Sequence, residues 1–164
     1  MSDQAQDGLI LLSEHFTNST AFQELFREGM DLVEETAAYL DGDGRTEAKA
    51  LERAVGLTYA TESMRLTTRL MQLASWLLLH RAVREGEMTL NQANREKTKV
   101  KLTAAEPGAT DLIEKLPSQL RALIERSMEL QAKVRRLDAT MHAEKKDDGA
   151  PGNPLMPQLD RLRA

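Results

Sequence analysis

The chain of 164 residues contains no cysteine, and only 4% of its residues are aromatic. The absence of cysteine excludes a disulfide framework, a thiol nucleophile and a thiolate metal site. The shortage of aromatic side chains disfavours a β-sandwich or barrel, whose core needs more aromatic and β-branched filling. The shares of hydrophobic residues, 41%, and charged residues, 29%, are ordinary for a soluble domain of this length. Helical secondary structure is therefore favoured.

Long hydrophobic runs are also absent. No unbroken apolar run exceeds four residues, the length of Trp76–Leu79, whereas a membrane-spanning helix needs about 18 or more. Residues 1–8 contain no Lys or Arg, so they lack the basic start of a signal peptide. These features predict a soluble, uncleaved protein without a membrane span.

Charge is distributed unevenly along the chain. Residues 1–47 contain eleven acidic and two basic residues, a balance of −9, and the whole chain carries −4, so residues 48–164 carry +5. Ordinary solvated helix faces explain such a pattern, and so does an acidic face opposite a basic one. Because the total is acidic, the second arrangement would orient protein partners rather than hold DNA.

The first helical pattern runs from Phe22 to Leu40, where apolar residues recur at spacings of 4-4-3-4-3. This periodicity predicts an amphipathic helix. Asn18 or Ser19 is a candidate N-cap, and Gly42 marks the end because glycine accepts the backbone conformation of a helix terminus.

A second, long helix is predicted from Thr46 to Gly86, and its middle is apolar on two faces. Leu66 belongs to one face and Leu57 to the other, because residues nine positions apart lie about 180° from each other on a helix of 3.6 residues per turn. The face opposite Leu66 therefore needs a cover of its own, which a second copy of the chain would supply. Its four members, spaced by seven residues, are candidates for a dimer interface: Leu57, Met64, Met71 and Leu78.

A third long helix is predicted from Asp111 or Pro117 to Ala143, after a short polar helix for which Thr89 is a candidate cap. Apolar residues alternate strictly at spacings of four and three over Leu116–Met141, as in the seam of a coiled coil. Ser127 is the one polar member of this seam.

Three long helices joined by turns predict an all-α fold, an antiparallel three-helix bundle over residues 19–143. Residues 1–18 form a separate N-terminal segment without long periodicity. From residue 144 onward, a run of charges and a stretch rich in Gly and Pro predict a flexible, disordered C-terminal tail. The tail ends in a short apolar motif, whose members are candidates for partner binding: Leu155, Met156, Leu159 and Leu162.

The sequence offers no convincing catalytic or metal-binding constellation. Acidic residues from Asp41 onward follow part of an EF-hand spacing, but Arg45 and Thr46 stand where a ligand and the turn glycine belong. The three histidines lie in separate elements without a second ligand nearby. Phosphate-binding and nucleophile-elbow motifs are absent from the sequence. We expect no enzymatic activity, no cofactor and no metal site.

Two charged groups have both a structural and a functional interpretation. Glu62 lies beside the leucine face, and Arg65 and Arg69 are close enough on the helix to pair with it, so a structural ion pair is expected rather than a general acid. The basic cluster from Arg95 to Lys101 is suited to phosphates, but it has no aromatic neighbour on which a base would stack.

Two stretches of the sequence resemble a known family. They are Leu25–Gly42, LFREGMDLVEETAAYLDG, and Thr58–Met88, TYATESMRLTTRLMQLASWLLLHRAVREGEM. Over about residues 22–102 the chain resembles the alphaproteobacterial RcdA family, the regulators of CtrA degradation.

This resemblance implies a cytoplasmic, non-enzymatic adaptor of regulated proteolysis that is recruited to a cell pole. Members of that family are dimeric three-helix bundles that help the ClpXP protease to degrade cell-cycle regulators. A response-regulator-type adaptor first primes the unfoldase, and the RcdA-type protein then tethers cargo or a further adaptor, with a contribution from its flexible tail. The implied partners are therefore ClpXP, a response-regulator-type adaptor, cargo proteins and a second copy of the chain, without a membrane.

Two other functions remain open at this stage. A helical nucleic-acid-binding regulator would use residues 95–101 together with Arg135 and Arg136, and its binding would depend on salt. A purely structural dimerisation module would bind no partner beyond itself. The tether hypothesis differs from both, since it predicts that removal of residues 144–164 preserves the fold and the dimer but abolishes cargo delivery.

Overall fold

The computed structural model describes residues 20–97 and 110–149, and within the second range it describes the side chains of residues 111–141. All regular secondary structure in these ranges is helical, which confirms the all-α prediction. The helices are α1 (Thr20–Asp41), α2 (Asp43–Lys49), α3 (Arg53–Arg84), α4 (Leu90–Lys97), α5 (Thr110–Ile113) and α6 (Ser118–Gly149). The candidate caps Asn18 and Ser19 lie outside the described residues, as does the N-terminal segment.

The link between α1 and α3 differs from the sequence prediction of one continuous helix from Thr46. The short helix α2 ends in tight turns, in which the N–H of Ala50 donates to the Glu47 carbonyl at 3.2 Å. Glu52 then adopts an extended backbone, with ψ of 149°, before α3 begins. Residues 50–53 contain no Gly or Pro, so local propensity does not explain this break. We attribute it to tertiary contacts, which override helix propensity.

The contacts at this corner involve two tyrosines. The Tyr39 hydroxyl donates to Glu47 Oε2 at 2.5 Å, which ties α2 to the end of α1. Gly44 packs against Tyr59 of α3, where an added Cβ would lie 2.5 Å from the phenolic oxygen. Burial raises the pKa of both phenols, and the Glu47 carboxylate raises the pKa of Tyr39 further because it accepts a hydrogen bond from the neutral phenol.

The chain divides after Gln131 into two compact units. In the first unit, α1, α3 and the early part of α6 pack around a leucine core as a three-helix bundle, and they meet at Gly29. A Cβ added to Gly29 would collide with Leu77 of α3 and would lie 3.6 Å from Leu130 Cδ2 of α6. A larger residue at this position would force the buried Leu77 side chain to move, so glycine favours the close approach of α1.

The second unit contains the remainder of α6, where Val134 and Leu137 are buried. The helix ends at Gly149, six residues after Ala143. Its last residues, Glu144–Asp148, are mostly straight-chain charged residues, and Glu and Lys have high helix propensity. Residues 150–164, which include the apolar motif of the predicted tail, lie outside the described residues.

The short helix predicted after Thr89 is also present. The Thr89 hydroxyl accepts the Gln92 N–H at 3.2 Å, and the Gln92 side-chain oxygen accepts the Thr89 N–H at 3.0 Å. This reciprocal pair is a capping box, which fixes the start of α4. At its other end, Lys97 Nζ lies 5.4 Å from the ring centre of Trp76, a cation–π contact that holds α4 on α3.

Candidate protein-interaction surface

The outer side of α3 carries four large apolar side chains that the described part of the chain leaves uncovered. The exposed fractions are 66% for Leu57, 72% for Met64, 66% for Met71 and 51% for Leu78. At 1.5 Å per residue, neighbouring members are about 10.5 Å apart and the whole row extends for about 32 Å. We call these four residues the α3 row. The structure therefore brings all four predicted dimer-interface candidates onto one exposed helix face.

The charged residues of α3 do not interrupt this row. Between Leu57 and Leu78 the sequence contains three of them. Glu62 and Arg69 are each only 6% exposed, and the half-buried Arg65 donates to Glu62 Oε1 at 3.4 Å. An uncharged outer face can be dehydrated on binding at a far lower cost than a charged one.

Four hydroxyl side chains of α3 make hydrogen bonds within their own helix. Each donates its proton to the backbone carbonyl four residues earlier, a geometry common for Ser and Thr in helices. The pairs are Thr58 to Ala54 at 3.2 Å, Thr61 to Leu57 at 3.0 Å, Thr67 to Ser63 at 2.8 Å and Ser75 to Met71 at 2.8 Å. Because these protons do not require water, the face behaves as more apolar than its composition indicates. The spacing of the large side chains was visible in the sequence, but this satisfaction of the hydroxyls was not.

A buried polar cluster lies on the opposite side of α3. Arg69 Nη1 donates to Ser127 Oγ at 2.8 Å, and Ser127 in turn donates to the Ile124 carbonyl at 2.6 Å. Burial lowers the pKa of Arg69, and the nearby charge of Glu62 partly opposes that shift. The predicted ion pair between Glu62 and Arg65 is confirmed, whereas Arg69 makes its hydrogen bond with the polar seam residue of α6.

The exposed side of α1 is acidic. Glu24, Asp31 and Glu34 are exposed there, and Glu35 accepts a 2.6 Å hydrogen bond from Arg126 of α6. The uneven charge of the sequence thus corresponds in part to a real acidic helix face. Of the basic cluster, the structure describes Arg95, which is exposed on α4, and Lys97, which packs over Trp76.

Among the described residues, no group of three or more His, Asp or Glu side chains is arranged to hold a metal ion. None of the described helices combines the length and the hydropathy required to cross a bilayer. The tail candidates Leu155, Met156, Leu159 and Leu162 lie outside the described residues, so their role in partner binding stays a prediction.

The chain resembles proteins that are already known. Residues 13–164 match the model of a family described as "Protein of unknown function (DUF1465)". The structure is similar to the crystal structure of RcdA from Caulobacter crescentus CB15, with 53% sequence identity and a TM-score of 0.63. That match covers 75% of this chain and 92% of the other. No curated protein sequence matches the chain.

Proposed function

Because the chain belongs to the DUF1465 family and to the RcdA family of proteolysis regulators, we propose that it is a non-enzymatic, cytoplasmic adaptor for regulated, cell-cycle-linked protein degradation. In this role it tethers cargo or further adaptors to the ClpXP protease, together with a response-regulator-type adaptor. The observation that carries the proposal is the 53% identity to RcdA over 92% of that chain. Tethering requires binding surfaces rather than catalytic groups, and two candidates are the exposed α3 row, for a second copy of the chain, and the tail, for cargo or a further adaptor.

We assign the α3 row to self-association of the adaptor. The four side chains form a line of apolar surface, and two helices with a seven-residue repeat pack at a small crossing angle. In an antiparallel two-fold pair centred between Met64 and Met71, each of these residues contacts the other on the second copy, and Leu57 likewise contacts Leu78. The same residues then serve both chains, so the row is self-complementary.

The dimer has a direct test in Met71→Asp, with Met128→Asp as the matched control. Met128 is exposed on α6 and does not belong to the row, although its exposed fraction of 38% is lower. A carboxylate at position 71 is hydrated in the free chain but is buried without a partner in the dimer. Sedimentation velocity should show a dimer for the unmodified chain and for Met128→Asp, and a monomer for Met71→Asp. A dimer that survives Met71→Asp would place the interface elsewhere.

We assign cargo or co-adaptor binding to the tail beyond α6. Residues 150–164 contain the four apolar tail candidates, and a tail that is flexible, as the sequence predicts, would raise the effective concentration of whatever it binds to the dimer. Since α6 ends at Gly149, a chain of residues 1–149 retains every described helix. A full-length variant with Ser at positions 155, 156, 159 and 162 is the matched control, because it keeps the length of the tail.

The adaptor function is tested by reconstitution. The full chain, the 1–149 chain and the serine variant are first compared in pulldowns from a native lysate, and the cargo recovered is then incubated with purified ClpXP and a response-regulator-type adaptor. We expect the full chain to accelerate cargo degradation and both variants to lose that acceleration while remaining folded dimers. Full activity of the 1–149 chain would contradict the role of the tail. Recovery of no partner other than the chain itself would instead favour a purely structural dimerisation module.

A further inference from the structure

The sulfur chemistry of this chain resides entirely in methionine. The chain contains eight methionines and no cysteine, so thioethers are its only oxidisable sulfur atoms. Met64 and Met71 are the most exposed methionines in the described ranges, at 72% and 66%, followed by Met128 at 38%. Exposure governs how readily a thioether meets an oxidant. The two most accessible thioethers therefore occupy the two central positions of the α3 row.

Oxidation at these positions changes the chemistry of the row. A peroxide transfers one oxygen atom to the thioether, which becomes a sulfoxide, and the peroxide is reduced to water or an alcohol. The sulfoxide is polar and accepts hydrogen bonds, unlike the thioether it replaces. The hydroxyl protons of Thr61, Thr67 and Ser75, each within about one turn, are already donated to carbonyls of the same helix. A sulfoxide oxygen buried against the apolar row of a second copy would lose its hydrogen bonds with water.

We propose that Met64 and Met71 form a reversible oxidation site that controls self-association of the chain, an inference that rests on the proposed dimer. In the dimer the thioethers are covered by the second copy, and in the free chain they are open to a peroxide. Oxidation therefore takes place on the free chain and holds it in that state by mass action. Reduction of the sulfoxide by a methionine sulfoxide reductase, with a dithiol as electron donor and water as the second product, restores the thioether and the dimer.

The test compares the full-length chain with two leucine variants before and after treatment with hydrogen peroxide. Met64→Leu/Met71→Leu removes the oxidisable sulfur with little change of volume, and Met128→Leu is the matched control outside the row. Sedimentation velocity gives the dimer dissociation constant, and peptide mass spectrometry reports oxygen addition at each methionine. Far-UV circular dichroism verifies that each sample is folded.

We expect peroxide to weaken dimerisation of the unmodified chain and of Met128→Leu by about tenfold or more, the effect of burying an unsatisfied polar group. The Met64→Leu/Met71→Leu chain should keep its dissociation constant. A sulfoxide reductase with dithiothreitol should restore the dimer of the unmodified chain. Oxygen addition at positions 64 and 71 should also be faster in dilute samples, where more free chain is present.

Three results would overturn the inference. A chain fully oxidised at positions 64 and 71 that still dimerises normally would remove the switch and leave the proposed dimer intact. If peroxide weakens the dimer of the Met64→Leu/Met71→Leu chain equally, another methionine is the group whose oxidation disrupts the dimer. A reduced chain that is monomeric at every concentration would refute the dimer itself, and the inference with it.

Discussion

Arg69 of α3 and Ser127 of α6 are joined by a buried hydrogen bond of 2.8 Å. The bond connects the polar position of the α6 seam to a cation that is 6% exposed. A register shift of either helix would separate the two groups and leave a buried guanidinium without this acceptor. The contact therefore selects one alignment of the two helices, in the way that a polar seam residue specifies the register of a coiled coil.

Replacement of Ser127 by Ala tests this role. The change removes the acceptor but leaves the buried cation, so we expect a loss of about 1–3 kcal/mol in the free energy of unfolding. Replacing both partners, as Arg69→Met/Ser127→Ala, should recover part of that loss because no charge is left unsatisfied. Urea denaturation of the single and double variants measures the coupling. Strict additivity of the two single changes would show that the bond contributes nothing to stability.

Gly29 and Gly56 form a matched pair of helical glycines with opposite expectations. A Cβ at Gly29 collides with Leu77, so Gly29→Ala should destabilise the fold by about 1–3 kcal/mol. A Cβ at Gly56 meets no atom within 4 Å, so Gly56→Ala should stabilise the chain by about 0.5–1 kcal/mol through helix propensity. Thermal and urea unfolding measure both changes. Equal effects at the two positions would contradict the close approach of α1 and α3.

The α6 seam is tested at Leu130, which is fully buried. Leu130→Ala should cost about 2–5 kcal/mol because it leaves a cavity where α1 and α6 meet near Gly29. The neighbouring Met128 is exposed, and Met128→Ala should change stability by no more than about 0.5 kcal/mol. A loss below about 0.5 kcal/mol at Leu130 would mean that the seam faces solvent.

The tyrosine corner predicts a dependence of stability on alkaline pH. Burial raises the pKa of Tyr39 and of Tyr59 in the folded chain, whereas phenols in the unfolded chain titrate near pH 10. Their contribution is fully present below about pH 10, and it is lost as the pH rises further because the unfolded state releases phenolic protons that the folded state retains. Urea midpoints measured between pH 8 and pH 11 should fall more steeply for the unmodified chain than for Tyr39→Phe/Tyr59→Phe. If the urea midpoints of the two chains fall equally steeply with pH, the pKa values of Tyr39 and Tyr59 are not raised in the folded chain.

Much of this fold follows from periodicity in the sequence. The 4-4-3-4-3 spacing predicted α1, and Gly42 marked its end. The end of α3 was marked by Gly86, which adopts the left-handed backbone with φ of 76°. The seven-residue spacing predicted that the α3 row lies on one face opposite the leucine core, because side chains seven residues apart on an α-helix point in nearly the same direction.

Other features were not predictable from periodicity. The break between α2 and α3 accompanies two contacts of α2, that of Glu47 with Tyr39 of α1 and that of Gly44 with Tyr59 of α3. Neither contact follows from the spacing of apolar residues. The pairing of Arg69 with Ser127 joins residues 58 positions apart, and local spacing had favoured Glu62 as the partner of both arginines. Side-chain hydrogen bonds between helices depend on how each helix is rotated and shifted relative to its neighbour. The spacing of apolar residues along one helix does not show either quantity.

The seven-residue spacing of the α3 row also has a geometric consequence for any helix that covers it. Seven residues fall short of two full turns by about 20°, so the row winds around α3 by about 60° between Leu57 and Leu78. A straight partner helix stays in contact at the centre and diverges towards both ends. Only a partner that coils with a left-handed twist follows the row along its full length. Between straight helices, Met64 and Met71 would therefore supply most of the contact, and Leu57 and Leu78 would remain partly exposed to solvent.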